Sequence, residues 1–123
     1  MEEQVIRLSV PCNPRFARPV RMMAASLATV SSMSVDDVED LRMAAEEGFV
    51  YACATAPSSV DIEFVVAEGS VRMGFALGTA EPDLEGDPAL SYANLLLAAL
   101  CDSYEVDASA HVLRLAKMGG DYA

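Results

Sequence analysis

Two short alternations of apolar and polar residues, parted by a single Glu-Gly pair, constrain the fold most. Val60, Ile62, Phe64 and Val66 alternate with Asp61 and Glu63, while Val71, Met73, Phe75 and Leu77 alternate with Arg72, Gly74 and Ala76. Successive side chains on a strand point to opposite faces, so each run carries one apolar and one polar face. Glu68 and Gly69 supply the turn between them. An isolated hairpin is marginal in water, and one apolar face has to be covered by other elements.

Residues 5–10 repeat the alternation, with Ile6, Leu8 and Val10 on one side and Arg7 and Ser9 on the other. They predict a further half-buried strand, and residues 104–107 and 111–117 predict two more. Between these lie helical patterns. Asn13 and Pro14 can open the first helix, with Pro19 expected to kink it or delay its start. Its stripe is Val20, Met23, Ala24, Leu27 and Ala28, and serines 31, 32 and 34 close it. In the stretch 34–56, Ser34 is a natural cap, and Asp36 and Asp37 suit the positive end of a helix dipole. Val38, Leu41, Ala45, Gly48, Phe49 and Ala52 form its apolar stripe. Gly48 within that stripe predicts close packing of helix on sheet. Asp87 and Pro88 then cap an apolar helix through Leu95, Leu96, Leu97, Ala99 and Leu100.

Strands with one apolar face and helices with one apolar face pack most economically as two layers. The expected fold is therefore an α/β (α+β) two-layer sandwich, with a mostly antiparallel, mixed sheet and three helices on one face. The 123 residues, 53% of them hydrophobic, suffice for a single domain over 1–123 with a real core. No apolar run is long enough to span a membrane, and the acidic, strand-like beginning does not read as a signal peptide, so a cytoplasmic location is expected. The net charge of -11 opposes nucleic-acid binding, which needs clustered cations. A basic protein partner suits it better. Cys12, Cys53 and Cys101 are odd in number and far apart along the chain, which predicts buried reduced thiols. The single histidine, His111, leaves no ordinary zinc-ligand spacing. Met22, Met23, Met43 and Met73 fall at core-like spacings and are expected to fill gaps.

Glu47 is the candidate catalytic residue. It lies away from the apolar stripe of its helix, yet its helical neighbours Met43, Val50, Tyr51 and Ala54 are apolar or aromatic. A carboxylate in such a setting can act as a general base, or can simply be a surface glutamate beside residues that pack under a loop.

In its order of strand, two helices, hairpin, polar loop, helix and closing strands, the chain resembles the anti-sigma-factor serine kinases over about residues 6–118. These belong with the histidine kinase-like (GHKL, Bergerat) ATPases. The resemblance implies that Glu47 occupies the place of the family's base, and that Tyr51, four residues on, occupies the place of the asparagine that holds magnesium. One phenolic oxygen on a bulky ring does not replace a short amide carbonyl as a hard ligand at about 2.1 Å. The adenine-binding aspartate is matched by Leu77 or a near neighbour, with Gly78 the one glycine surviving there. The glycine-rich lid end is matched by the lone Gly86 beside Asp87, which reads as a helix-start turn. No lysine or arginine falls between Arg72 and Arg114.

The resemblance, with these departures, implies a degenerate member of the family: a pseudokinase-like transcription regulator acting by protein contact. No cofactor is expected, and no metal. The implied partners are a sigma factor or an anti-sigma antagonist, with a homodimer through about residues 6–28. The alternative is an active ATP-dependent serine/threonine kinase that uses ATP and magnesium with Glu47 as base.

Overall fold

The computed structural model describes residues 1–55 and 57–119. Ala56, the last residue of the helical stretch read from the sequence, lies outside them. Among these residues the chain runs β1 (Gln4–Pro11), a short 3-10 turn (Pro14–Phe16), α1 (Ala17–Val30), α2 (Val35–Ala54), β2 (Ser59–Ala67), β3 (Ser70–Ala76), α3 (Pro88–Leu100), β4 (Ser103–Asp107) and β5 (Val112–Met118). The strands form one sheet in the order β1-β2-β3-β5-β4. Every pairing in it is antiparallel, so the sheet is not mixed.

The register explains the layers. Ile6 pairs with Phe64, Leu8 with Ile62 and Val10 with Val60, and Phe64 and Ile62 continue onto Met73 and Phe75. Phe75 and Met73 in turn meet Leu113 and Leu115. These side chains share one face, and nearly all are buried. The helices cover that face, with α2 against β2, β3 and β5 and flanked by α1 and α3. The opposite face carries Arg7, Glu63, Arg72, Arg114 and Glu105 and, among the described residues, has no layer over it. The fold is an α+β two-layer sandwich, as the patterning requires.

Local chemistry sets the element ends. Asn13 accepts from the Arg15 amide at 3.0 Å, Ser34 from the Asp37 amide at 3.1 Å, and Asp87 from the Ala89 amide at 3.0 Å. Gly69 takes the left-handed conformation, with φ 74°, at the hairpin tip. Pro19 causes no kink, because α1 begins at Ala17 and the proline falls in the first turn, where a backbone amide has no helical partner to lose. His111 lies outside β5 in the preceding turn, with φ 54°, where the chain reverses. The alternation of its neighbours does not reveal that reversal. Met73 fills the core as expected, but Met22 and Met43 are exposed.

Ser31, at the end of α1, is fully buried. Its hydroxyl donates to the Ala67 carbonyl at 2.7 Å, and its own carbonyl accepts from the Gly69 amide at 2.7 Å. This one residue ties the end of α1 to the β2-β3 hairpin. Among the described residues no helix is long and apolar enough to cross a membrane.

Candidate functional site

Of the site residues proposed from the sequence, all but Gly86 sit on α2 or against its end. Glu47 is half-buried midway along the helix. Its carboxyl is raised above the ordinary range, first by burial and then by the neighbouring Glu46 carboxylate. Glu46 itself is ion-paired with Arg21 of α1. A carboxyl of this kind can take up a proton more readily than a solvated one, as a general base requires.

One helical turn further on, Tyr51 is 5% exposed. It belongs to the hydrophobic core together with Ala52 and Leu97. Burial raises its phenol above the usual value. Tyr104 on β4 stands beside it, and its own phenol is raised by burial, then by Tyr51, then by Cys101. The Tyr104 hydroxyl donates to Asn94 Oδ1 on α3. Helix α2 packs along α3, and Tyr51 on the first and Ala93 and Leu97 on the second are all buried. The periodicity of α2 leaves Tyr51 off the main apolar stripe, so only the arrival of α3 and β4 accounts for its burial.

Leu77 and Gly78 follow β3, which ends at Ala76, so Leu77 is not a strand residue as its place in the alternation suggested. The Leu77 amide donates to the His111 carbonyl at 2.8 Å, and the Gly78 amide to Thr55 Oγ1 at 2.7 Å. Thr55 is buried, caps the end of α2 by donating to the Ala52 carbonyl at 2.6 Å, and accepts from the Ala80 amide at 3.1 Å through its own carbonyl. The structure therefore brings the segment after β3 against the end of α2, near Tyr51 in sequence. Gly86 is not drawn in. It is exposed, and its amide donates to Asp83 Oδ1 at 2.8 Å in a turn that leads directly to the Asp87 cap of α3. Its role as a helix-start turn is what the Gly-Asp-Pro order suggests.

Thr55, Asn94 and Tyr104 were not legible as site residues, because each acts through a neighbour remote in sequence. The same holds for Lys117, which pairs with Asp40 at 3.2 Å and donates to the Leu100 carbonyl at 3.0 Å, clasping α2, α3 and β5 together. The thiols differ from expectation in a similar way. All three are half-buried, and two of them meet, since Cys53 near the end of α2 stands against Cys12 just beyond β1. Among the described residues no group of three or more His, Cys, Asp or Glu side chains converges as a metal site. Two broad cavities, of about 560 and 520 Å³, lie instead on the uncovered sheet face, and a third is formed by Arg15, Phe16, Arg18, Pro19 and Met22 at the start of α1. None of these three is lined by Glu47 or Tyr51.

No protein-family model matches this chain, and no curated protein sequence matches it significantly.

Proposed function

We propose that this chain is an anti-sigma-factor-like regulatory protein that works by binding other polypeptides and does not turn over nucleotide. The observation that supports this reading is the burial of Tyr51 in the core, with Tyr104 nearby. In the resembled family that place on the helix belongs to a magnesium-holding amide that faces the nucleotide. Here a buried phenol stands near Tyr104 instead. It offers a divalent cation no short amide oxygen as a hard ligand. The acidic surface, with a net charge of -11, suits a basic protein surface as partner.

Isothermal titration of the full chain with Mg·ATP tests the reading. No heat of binding is expected up to high micromolar nucleotide, together with direct binding to a sigma factor or an antagonist protein encoded in the same genome. Micromolar nucleotide binding that Glu47→Gln abolishes overturns it.

One observation favours the alternative of an active ATP-dependent serine/threonine kinase: burial and Glu46 raise the Glu47 carboxyl, the direction a base needs. Transfer of the γ-phosphoryl group to an antagonist serine would select that reading.

A further inference from the structure

The uncovered face of the sheet has a charge pattern that ion pairs within the chain explain only in part, Arg7 with Glu63 at 3.2 Å and Arg114 with Asp107 at 2.6 Å. One row of residues crosses all five strands, because Arg7 pairs with Glu63, Glu63 with Gly74, Gly74 with Arg114, and Arg114 with Glu105. Read from β1 to β4 the row is positive, negative, empty, positive, negative. Gly74 stands at its centre on β3, the middle strand. Neither conformation nor packing calls for glycine there. Its φ is not in the left-handed region, and an added Cβ would meet only Val112 Cγ1, at 3.5 Å. Glycine inside a strand weakens it and often marks a place where another backbone approaches closely.

The two cavities on this face overlap at Glu63, Gly74 and Arg114, which makes a trough across the centre of the sheet. Its rims are partly apolar, with Val5 48% exposed and Val65, Val112 and Ala116 half-buried. Arg114 bonds Asp107 at 2.6 Å rather than its direct neighbour Glu105. Among the described residues Glu105 has no ion-pair partner.

The row is antisymmetric in charge about Gly74. A two-fold axis lying along β3, between two copies stacked sheet on sheet, exchanges β1 with β4 and β2 with β5. Each Arg7 then faces Glu105 of the second copy, each Glu63 faces Arg114, and Gly74 faces Gly74. An axis running across the strands would instead set every charge against itself, which is costly. Of the two neighbouring rows, the first axis sets Val5 against Ser103 and Val65 against Ala116 in one, and Ser9 against Asp107 and Asp61 against Val112 in the other. Of the charged residues Arg72 meets its own copy, and its charge is already paired with Glu3 at 2.7 Å. Stacked sheets lie about 10 Å apart, a gap that arginine and glutamate side chains span from both sides. Five strands of this length give a face of about 24 by 23 Å, close to the roughly 600 Å² per partner at the lower end for stable interfaces.

We propose that this sheet face is the interface of a homodimer, in which two copies stack about a two-fold axis along β3 with Gly74 at its centre. The surface is distinct from the region 6–28 implied by the family resemblance, and the inference does not depend on the proposed regulatory function.

Sedimentation equilibrium of the full chain over a range of micromolar concentrations tests it. A mass twice 13.1 kDa is expected. Gly74→Arg sets a cation against its own copy, and Glu105→Arg sets one against Arg7; each should weaken association about tenfold or more. Combining Arg7→Glu with Glu105→Arg restores opposite charges across the axis and should recover most of the loss. Circular dichroism controls for folding, and the two charge changes fall on exposed side chains. A chain that stays monomeric throughout overturns the proposal. So does a dimer indifferent to Gly74→Arg and to both charge reversals, which would place association elsewhere, for instance on the open edge of β1.

Discussion

Gly48 on α2 lies so close to Phe75 on β3 that a Cβ at position 48 would stand 2.6 Å from the ring carbon Cε1 and 2.7 Å from Cζ. Phe75 is fully buried in the centre of the sheet, so its ring has no room to retreat. The absence of a side chain at one position thus sets the distance between helix and sheet. Gly48→Ala brings a gain of about 1 kcal/mol in helix propensity and an overpacking cost of about 1–3 kcal/mol. The cost should win, with a net loss of up to about 2 kcal/mol in urea denaturation. A variant as stable as the parent would mean that the Phe75 ring moves aside.

Ser31 holds the end of α1 to the hairpin through its hydroxyl and its carbonyl. Ser31→Ala removes the only donor of that side chain while leaving the site buried, and should cost about 1–2 kcal/mol. In a domain of this size each kcal/mol corresponds to about 4 °C in Tm, so calorimetry resolves the change easily. An unchanged Tm would show that the Ala67 carbonyl is served equally well without it.

The raised Glu47 carboxyl makes a signed prediction. The folded state holds this proton more tightly than the unfolded chain, so folding is favoured relative to an ordinary glutamate at low pH. That advantage is lost as pH rises from about the ordinary value of 4.5 through the higher folded value. At pH 7 the group is ionised in a half-buried site beside Glu46. Glu47→Gln should therefore stabilise the chain at pH 7, by a few tenths of a kcal/mol given its partial exposure. The gain should vanish below pH 4.5. A variant less stable than the parent at pH 7 would mean that the carboxylate has a partner worth more than its burial costs.

Burial, and then the neighbouring Cys12 thiol, pushes Cys53 up to about 12, and burial pushes Cys101 up to about 11. The thiolate is the reactive form. At pH 8 both should react with iodoacetamide roughly a hundredfold or more slowly than a free thiol, with rates still climbing at pH 10. Unfolding in guanidinium should bring them to the ordinary rate. Mass spectrometry of the labelled peptides reads each site separately, and fast native labelling at Cys53 and Cys101 would show that both thiols are reached by solvent.

How much of this was legible beforehand varies by residue. The alternation around Glu68 and Gly69 defined a hairpin, and the Ser34 and Asp87 caps marked helix starts, because these are interactions between residues close in sequence. Gly48 was readable as a close approach because glycine in a helix stripe has few other uses. Tyr51 was readable as a tyrosine in an unusual place, and its burial was not, because the side chains that bury it arrive from α3 and β4. His111 was misplaced in a strand because alternation alone cannot show where the chain turns to positive φ. Met22 and Met43 fitted an apolar period and still face solvent, since among the described residues nothing covers them.

Taken alone, the order and period of apolar residues determined the two-layer class, the hairpin and the faces of the helices, because a period of 2 or 3.6 is set by backbone geometry within a few residues. The tertiary structure decided what those faces meet: Tyr51 against Tyr104, Cys12 against Cys53, Ser31 against the hairpin, and a charge row centred on Gly74. These are contacts between residues tens of positions apart, and their partners are chosen by strand order and register, which no local period encodes.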